Sequence, residues 1–130
     1  MTRKMAREEA FILVFEKAFN DASVEEILEL AADVRDLELD DFIETVFKGV
    51  FANIDEIDSL ISKNAVGWKI ERISKTALSV LRLAIFEILY MDDIPSAVSV
   101  NEAVELCKKY ATKEDASFVN GILATVVKNL

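Results

Sequence analysis

The sequence predicts an all-α fold, a compact bundle of six or seven helices, on three observations. Apolar residues recur at steps of three and four along most of the chain, the period of a helix face and not of a strand. Only 3 Gly and 1 Pro occur in 130 residues, too few for the tight turns of an all-β fold. Hydrophobic residues make up 52%, enough to close a core at a length suited to a single domain over residues 1–130.

The first helix is predicted from about Arg3 to Asn20. Phe11, Phe15 and Phe19 stack at i, i+4, i+8 beside Ala10, Val14 and Ala18, forming one apolar stripe. Ser23-Val24-Glu25-Glu26 reads as a capping box that opens a second helix, with Ile27, Leu30 and Val34 as its apolar face. A long third helix is expected from about Asp40 to Ser62, since Leu39, Phe42, Ile43, Val46, Phe47, Val50, Ile54, Ile57 and Ile61 keep helical spacing. Gly67 and Trp68 mark a break. From Ser74 to Met91 the pattern is apolar nearly all round, which places that helix at the centre. Asp92-Asp93-Ile94-Pro95 is a turn, because the residue before proline avoids helical geometry. Ser99-Val100-Asn101-Glu102 reads as a second capping box, opening a helix to about Tyr110, and Thr112-Lys113-Glu114-Asp115 as a third, opening the last helix.

Composition removes most catalytic classes. There is no histidine, so the commonest general base and the usual zinc nitrogen ligand are missing. Di-iron bundles, which need Glu-x-x-His on facing helices, are excluded. The lone Cys107 shares the apolar side of its helix with Val100, Ala103 and Val104 and reads as a small buried hydrophobe. Gly49, Gly67 and Gly121 are isolated, so no phosphate loop exists. Asp40-Asp41 and Asp92-Asp93 lack the spacing of a calcium loop. The chain reads as a protein that binds partners, with no catalysis and no cofactor.

The net charge of −9 argues against nucleic acid until its distribution is examined. Residues 21–62 hold 13 acidic and 2 basic side chains, against 11 and 13 in the remainder. The two ends together can therefore build a neutral-to-basic face. The start, Met1-Thr2-Arg3-Lys4, runs straight into an amphipathic pattern and predicts no signal peptide. No apolar run approaches the roughly 18 residues of a membrane span, and a single cysteine fits a reducing cytoplasm.

Three features ask for more than a fold. Arg3, Lys4 and Arg7 crowd a helix start, where cations oppose the dipole; they are solvated charges or a phosphate-contacting patch. Gly121 sits inside the last helix beside Asn120, either for close helix–helix approach or to bare the backbone beside a polar contact. Phe118 follows Lys113, as core or as a surface on which an unpaired base stacks.

Several stretches then carry a resemblance. They are Ala6-Arg7-Glu8, Leu81-Arg82-Leu83-Ala84 with Glu87, Asp93-Ile94-Pro95 followed by Val100-Asn101-Glu102-Ala103-Val104-Glu105-Leu106, and above all Phe118-Val119-Asn120-Gly121-Ile122-Leu123. In this order and spacing, over essentially the whole chain, they resemble the NusB family of transcription antitermination factors. The resemblance implies two packed helical subbundles. It also implies a small-subunit ribosomal protein partner (NusE), joint binding of single-stranded boxA RNA in nascent ribosomal transcripts, and assembly with other Nus factors and RNA polymerase. It would place the RNA surface on Arg3, Lys4, Arg7, Phe15, Lys113, Phe118 and Asn120, and the partner surface on Glu71, Arg72, Lys75 and Thr76. Met5 stands where the family is often basic, and Thr76 where an acidic residue is common. Two other readings stay open: a protein–protein adaptor of the same fold, related to the helical domain of rRNA cytosine methyltransferases, and a homo-oligomeric structural protein.

Overall fold

The computed structural model describes residues 1–34 and 40–130. Among them are seven α-helices: α1 (Arg3–Lys17), α2 (Val24–Val34), α3 (Asp41–Ala52), α4 (Ile54–Asn64), α5 (Lys75–Tyr90), α6 (Ser96–Tyr110) and α7 (Lys113–Lys128). A 3-10 turn, Ile70–Arg72, precedes α5. Leu39, assigned above to the third helix, lies outside the described residues.

Helix α5 is the axis. It packs against α1, α3, α4, α6 and α7, and residues all round it are buried, from Ala77 and Leu78 to Phe86 and Ile88. An N-terminal group (α1–α3) and a C-terminal group (α4, α6 and α7) close on it as two subbundles. Apolar side chains from all seven helices join one core.

Local chemistry explains the boundaries. Asp40 caps α3 by accepting from the Ile43 N–H at 2.9 Å, and Thr112 caps α7 by accepting from the Asp115 N–H at 3.0 Å. At α2 the capping box is reciprocal, with Glu26 N–H donating to Ser23 Oγ (3.1 Å) and Ser23 N–H to Glu26 Oε1 (3.3 Å). Gly67 takes φ +82° at the break before α5, a conformation that costs other residues a Cβ clash.

Four expectations need correction. The predicted helix from Asp40 to Ser62 is two helices. Asn53 leaves helical geometry (φ −121°, ψ 25°), and its side-chain amide donates to the Gly49 carbonyl at 2.8 Å. An asparagine that offers its own hydrogen bond competes with the helix backbone in this way. The first helix stops at Lys17 and not at Asn20, whose Oδ1 accepts from the Ala22 N–H in a turn. In α2 the buried face is Ile27, Leu28 and Ala31, while Leu30 and Val34 are exposed, as is Phe19 after α1. Finally, Ser99 and Glu102 form no capping box. Helix α6 already starts at Ser96, which leaves Ser99 buried in its interior, its hydroxyl donating to Glu87 at 3.0 Å.

Candidate functional site

Of the cations at the start of α1, Arg3 and Lys4 diverge, while Arg7 lies over the same Phe42 ring as Arg3 and near the same Glu102 as Lys4. Thr2 caps the helix, and the first turn has no acidic residue. Residues three or four apart share a helix face, yet Arg3 and Lys4 are consecutive and aim apart. The Arg3 guanidinium sits over the Phe42 ring on α3, 4.4 Å from its centroid. Lys4 turns towards α6, where its ammonium pairs with Glu102 at 3.2 Å.

Arg7 is only 4% exposed. Its Nε and Nη2 donate to both oxygens of Glu87 on α5, at 2.8 and 2.9 Å. The Ser99 hydroxyl completes the shell of that carboxylate, and Glu102 lies 3.9 Å from Arg7 Nη1. No buried polar side-chain atom in the described residues lacks a partner. The arrangement ties α1, α5 and α6 together at one point. An RNA phosphate would reach this guanidinium only by breaking a buried bidentate pair.

Between α1 and α6 runs a groove of about 170 Å³ lined by Lys4, Arg7, Glu8, Glu102, Glu105, Leu106 and Lys109. Lys109 reaches across it to Glu8 at 2.6 Å, and the Tyr110 hydroxyl donates to the same carboxylate. Those two donors hold the Glu8 carboxyl below its usual value, and Glu8 in turn raises Lys109 and Tyr110 above theirs. Phe15, half-buried, belongs to an aromatic row beside this groove. Its ring lies 5.0 Å from Phe19 and 6.2 Å from Phe11, and Phe11 lies 5.1 Å from Tyr110.

On the other flank of α6, a shallow groove of about 660 Å³ against α7 is lined by Val104, Lys108, Ala111, Lys113, Ala116, Ser117 and Asn120. It brings Lys113 and Asn120 together and adds Lys108. Gly121, next to Asn120, has nothing within 4 Å of a built Cβ, so close helix–helix approach does not explain it. The backbone there is bare.

Phe118 falls elsewhere. Its ring meets Trp68 edge-on at 5.7 Å, and the two line a cavity of about 280 Å³ with Arg72, Ile73, Ser74, Glu114 and Asp115. Glu71, Arg72 and Lys75 are exposed at this end and Thr76 is half-buried. Phe118 therefore groups with Arg72 and not with Lys113 and Asn120. Trp68 was missed as a site residue. Its glycine neighbour drew attention to a chain break, and only the fold sets its ring beside Phe118.

Cys107 is buried, and burial pushes its thiol up to about 11, far from the range of a reactive thiolate. Among the described residues no group of His, Cys, Asp or Glu is placed to hold a metal. No described helix is long and apolar enough to cross a membrane.

Comparison with known proteins gives a consistent result. Residues 4–128 match the NusB family. The transcription antitermination protein NusB of Natranaerobius thermophilus is 47% identical over 135 aligned positions, covering 100% of this chain and 97% of that protein. NusB of Acetivibrio thermocellus is also 47% identical, over 98% of this chain and 90% of its own. Among solved structures, T. maritima NusB superposes with a TM-score of 0.88 at 35% identity, covering 98% of this chain and 92% of its own. A chain from the structure of antitermination factors NusB and NusE in complex with double-stranded RNA superposes with a TM-score of 0.86 at 26% identity, over 98% of this chain and 97% of its own. With a family match over residues 4–128 and relatives 47% identical along nearly its whole length, this chain belongs to the NusB family.

Proposed function

We propose that this protein is a cytoplasmic, non-enzymatic transcription antitermination factor, acting as one domain over residues 1–130. It binds single-stranded boxA RNA of nascent ribosomal transcripts jointly with the small-subunit ribosomal protein NusE, and assembles with other Nus factors on RNA polymerase. The observation that carries the reading is the placement of lysines on both flanks of α6. Lys4 and Lys109 line one groove, and Lys108 and Lys113, with Asn120, line the other. Lysines supply sequence-tolerant affinity for phosphate, while exposed aromatics and amides read unpaired bases. Arg3, at the start of α1, and Phe15, in the aromatic row, extend the RNA surface from α1. Arg7 serves it from beneath by fixing α1 on α5 and α6. Glu71, Arg72, Lys75 and Thr76, with the Trp68–Phe118 pair, form the surface for the ribosomal partner. That a family relative forms a complex with NusE and double-stranded RNA supports NusE and RNA as the partners.

The test is fluorescence anisotropy of a labelled boxA-like RNA, titrated at two salt concentrations with and without the ribosomal partner. Partner-enhanced, salt-sensitive binding that weakens in Lys4→Ala and Lys113→Ala is expected. No binding in any condition, with a scrambled RNA behaving identically, would instead support a protein–protein adaptor. The glutamates that pair with Lys4 and Lys109 give that second reading its one structural support.

A further inference from the structure

We propose that Glu8 and Glu102 act as competing anions in the RNA-binding surface, their carboxylates occupying Lys109 and Lys4 until RNA phosphate displaces them. The inference rests on the RNA-binding reading above and adds to it a built-in restraint on affinity.

The pairing is crossed. Lys4 of α1 is held by Glu102 of α6 at 3.2 Å, and Lys109 of α6 by Glu8 of α1 at 2.6 Å. The glutamate side chains are the less exposed members, 26% for Glu8 and 21% for Glu102, whereas the Lys109 and Lys4 side chains are 61% and 67% exposed. Each carboxylate is thus set in the groove while each lysine reaches in from solvent, free to swing outward without any movement of the helices.

The partners left behind are also unequal. When Lys109 departs, Glu8 keeps the Tyr110 hydroxyl as a donor. When Lys4 departs, Glu102 keeps Arg7, whose Nη1 is 3.9 Å away. The glutamates therefore lose little on release. Exposed ion pairs of this kind are worth at most a few-fold in equilibrium, so a phosphate offering charge-assisted hydrogen bonds displaces them. The two carboxylates still remain near the bound phosphates and repel them.

The consequence has a signature that a purely structural role lacks. A carboxylate bared when its lysine moves to phosphate takes up a cation from solution, which offsets part of the counterion release that the lysine brings about. Removing the carboxylate removes that offset and steepens the slope of log K against log salt by at most about 0.7, the contribution of one cation on a single strand.

The experiment is anisotropy of a labelled single-stranded boxA-like RNA across a salt series, with the ribosomal partner present, for the full chain and for Glu8→Gln, Glu102→Gln and the double variant. Each glutamine keeps an oxygen to accept from Tyr110 or Arg7, and urea midpoints check the fold. Expected is binding about two- to fivefold tighter at low salt for each substitution, with the slope steeper by at most about 0.7 per removed carboxylate. Glutamine variants that bind like the unsubstituted chain or more weakly, with an unchanged slope, overturn the proposal. Binding seen only in the double variant supports it. If neither the unsubstituted chain nor any folded variant binds, the RNA-binding reading itself fails and this inference goes with it. The two glutamates are substituted separately, so loss of fold in one single variant leaves the other to decide.

Discussion

Gly49 of α3 lies directly under the ring of Phe86 on α5, where a Cβ would stand 2.1 Å from Phe86 Cε1. Phe86 is itself buried, so its ring has little room to yield. Gly49→Ala is expected to destabilise the protein by about 1–3 kcal/mol, despite the better helix propensity of alanine, in urea unfolding. An unchanged midpoint would mean that α3 and α5 separate without cost.

Gly121 is the opposite case. Its surroundings are open, it lies inside α7, and no positive φ requires glycine there. Gly121→Ala should stabilise the fold by about 0.5–1 kcal/mol through helix propensity, read as a Tm increase of a few degrees. A lower Tm would show that the bare backbone is packed against something after all.

The Arg7–Glu87 pair is buried on both sides. Removing one partner strands the other's charge, so Arg7→Met or Glu87→Leu alone should cost about 3–5 kcal/mol. The double variant should cost much less than the sum, because no charge is then left alone. A double-mutant cycle in urea measures the coupling, and strict additivity would dismiss the pair as a tie between α1 and α5.

Cys107 contributes a pH dependence at the alkaline end. Its folded value is about 11, against an ordinary value of 9.0, because burial disfavours the thiolate. A group raised in this way stabilises the fold fully below its unfolded value and loses that contribution as pH rises through the folded one. Stability should therefore fall between about pH 9 and 11, and Cys107→Ala should flatten that part of the profile. In the native state at neutral pH the thiol should resist disulfide reagents until urea exposes it.

Trp68 is the single tryptophan and is exposed beside Phe118. Its emission should shift when the ribosomal partner saturates the chain. Trp68→Ala should cost under about 1 kcal/mol of stability yet weaken partner binding tenfold or more, as befits an aromatic anchor. Equal affinity for both chains would remove this cavity from the interface.

Much of the architecture was legible before any coordinates. The apolar run around Leu81 and Ile85 announced a central helix because only a helix surrounded on all sides can afford apolar residues all round. Thr112 and Ser23 announced helix starts because capping needs only side chains three residues away. The failures had a local cause or a rotational one. Asn53 split a helix whose periodicity continued unbroken across the split, since Ile54 and Ile57 keep the step while the backbone does not. Leu30 and Val34 continue the helical step from Ile27, but Ala31 does so too, with Leu28 beside it, and only the arrival of α1 and α3 selects which set is covered.

The site divides along the same line. The sequence determined which residue types were available: lysines and arginines at the two ends, aromatics in α1 and α7, and no histidine. It also determined the helices that carry them, because capping and periodicity act within a few residues. Only the tertiary structure decided what each charge does. It buried Arg7 against a carboxylate 80 residues away, crossed Lys4 and Lys109 with glutamates on opposite helices, and moved Phe118 from the lysines to Trp68. The energy of a charge depends on its distance from other charges and from water, and the fold sets both of those distances.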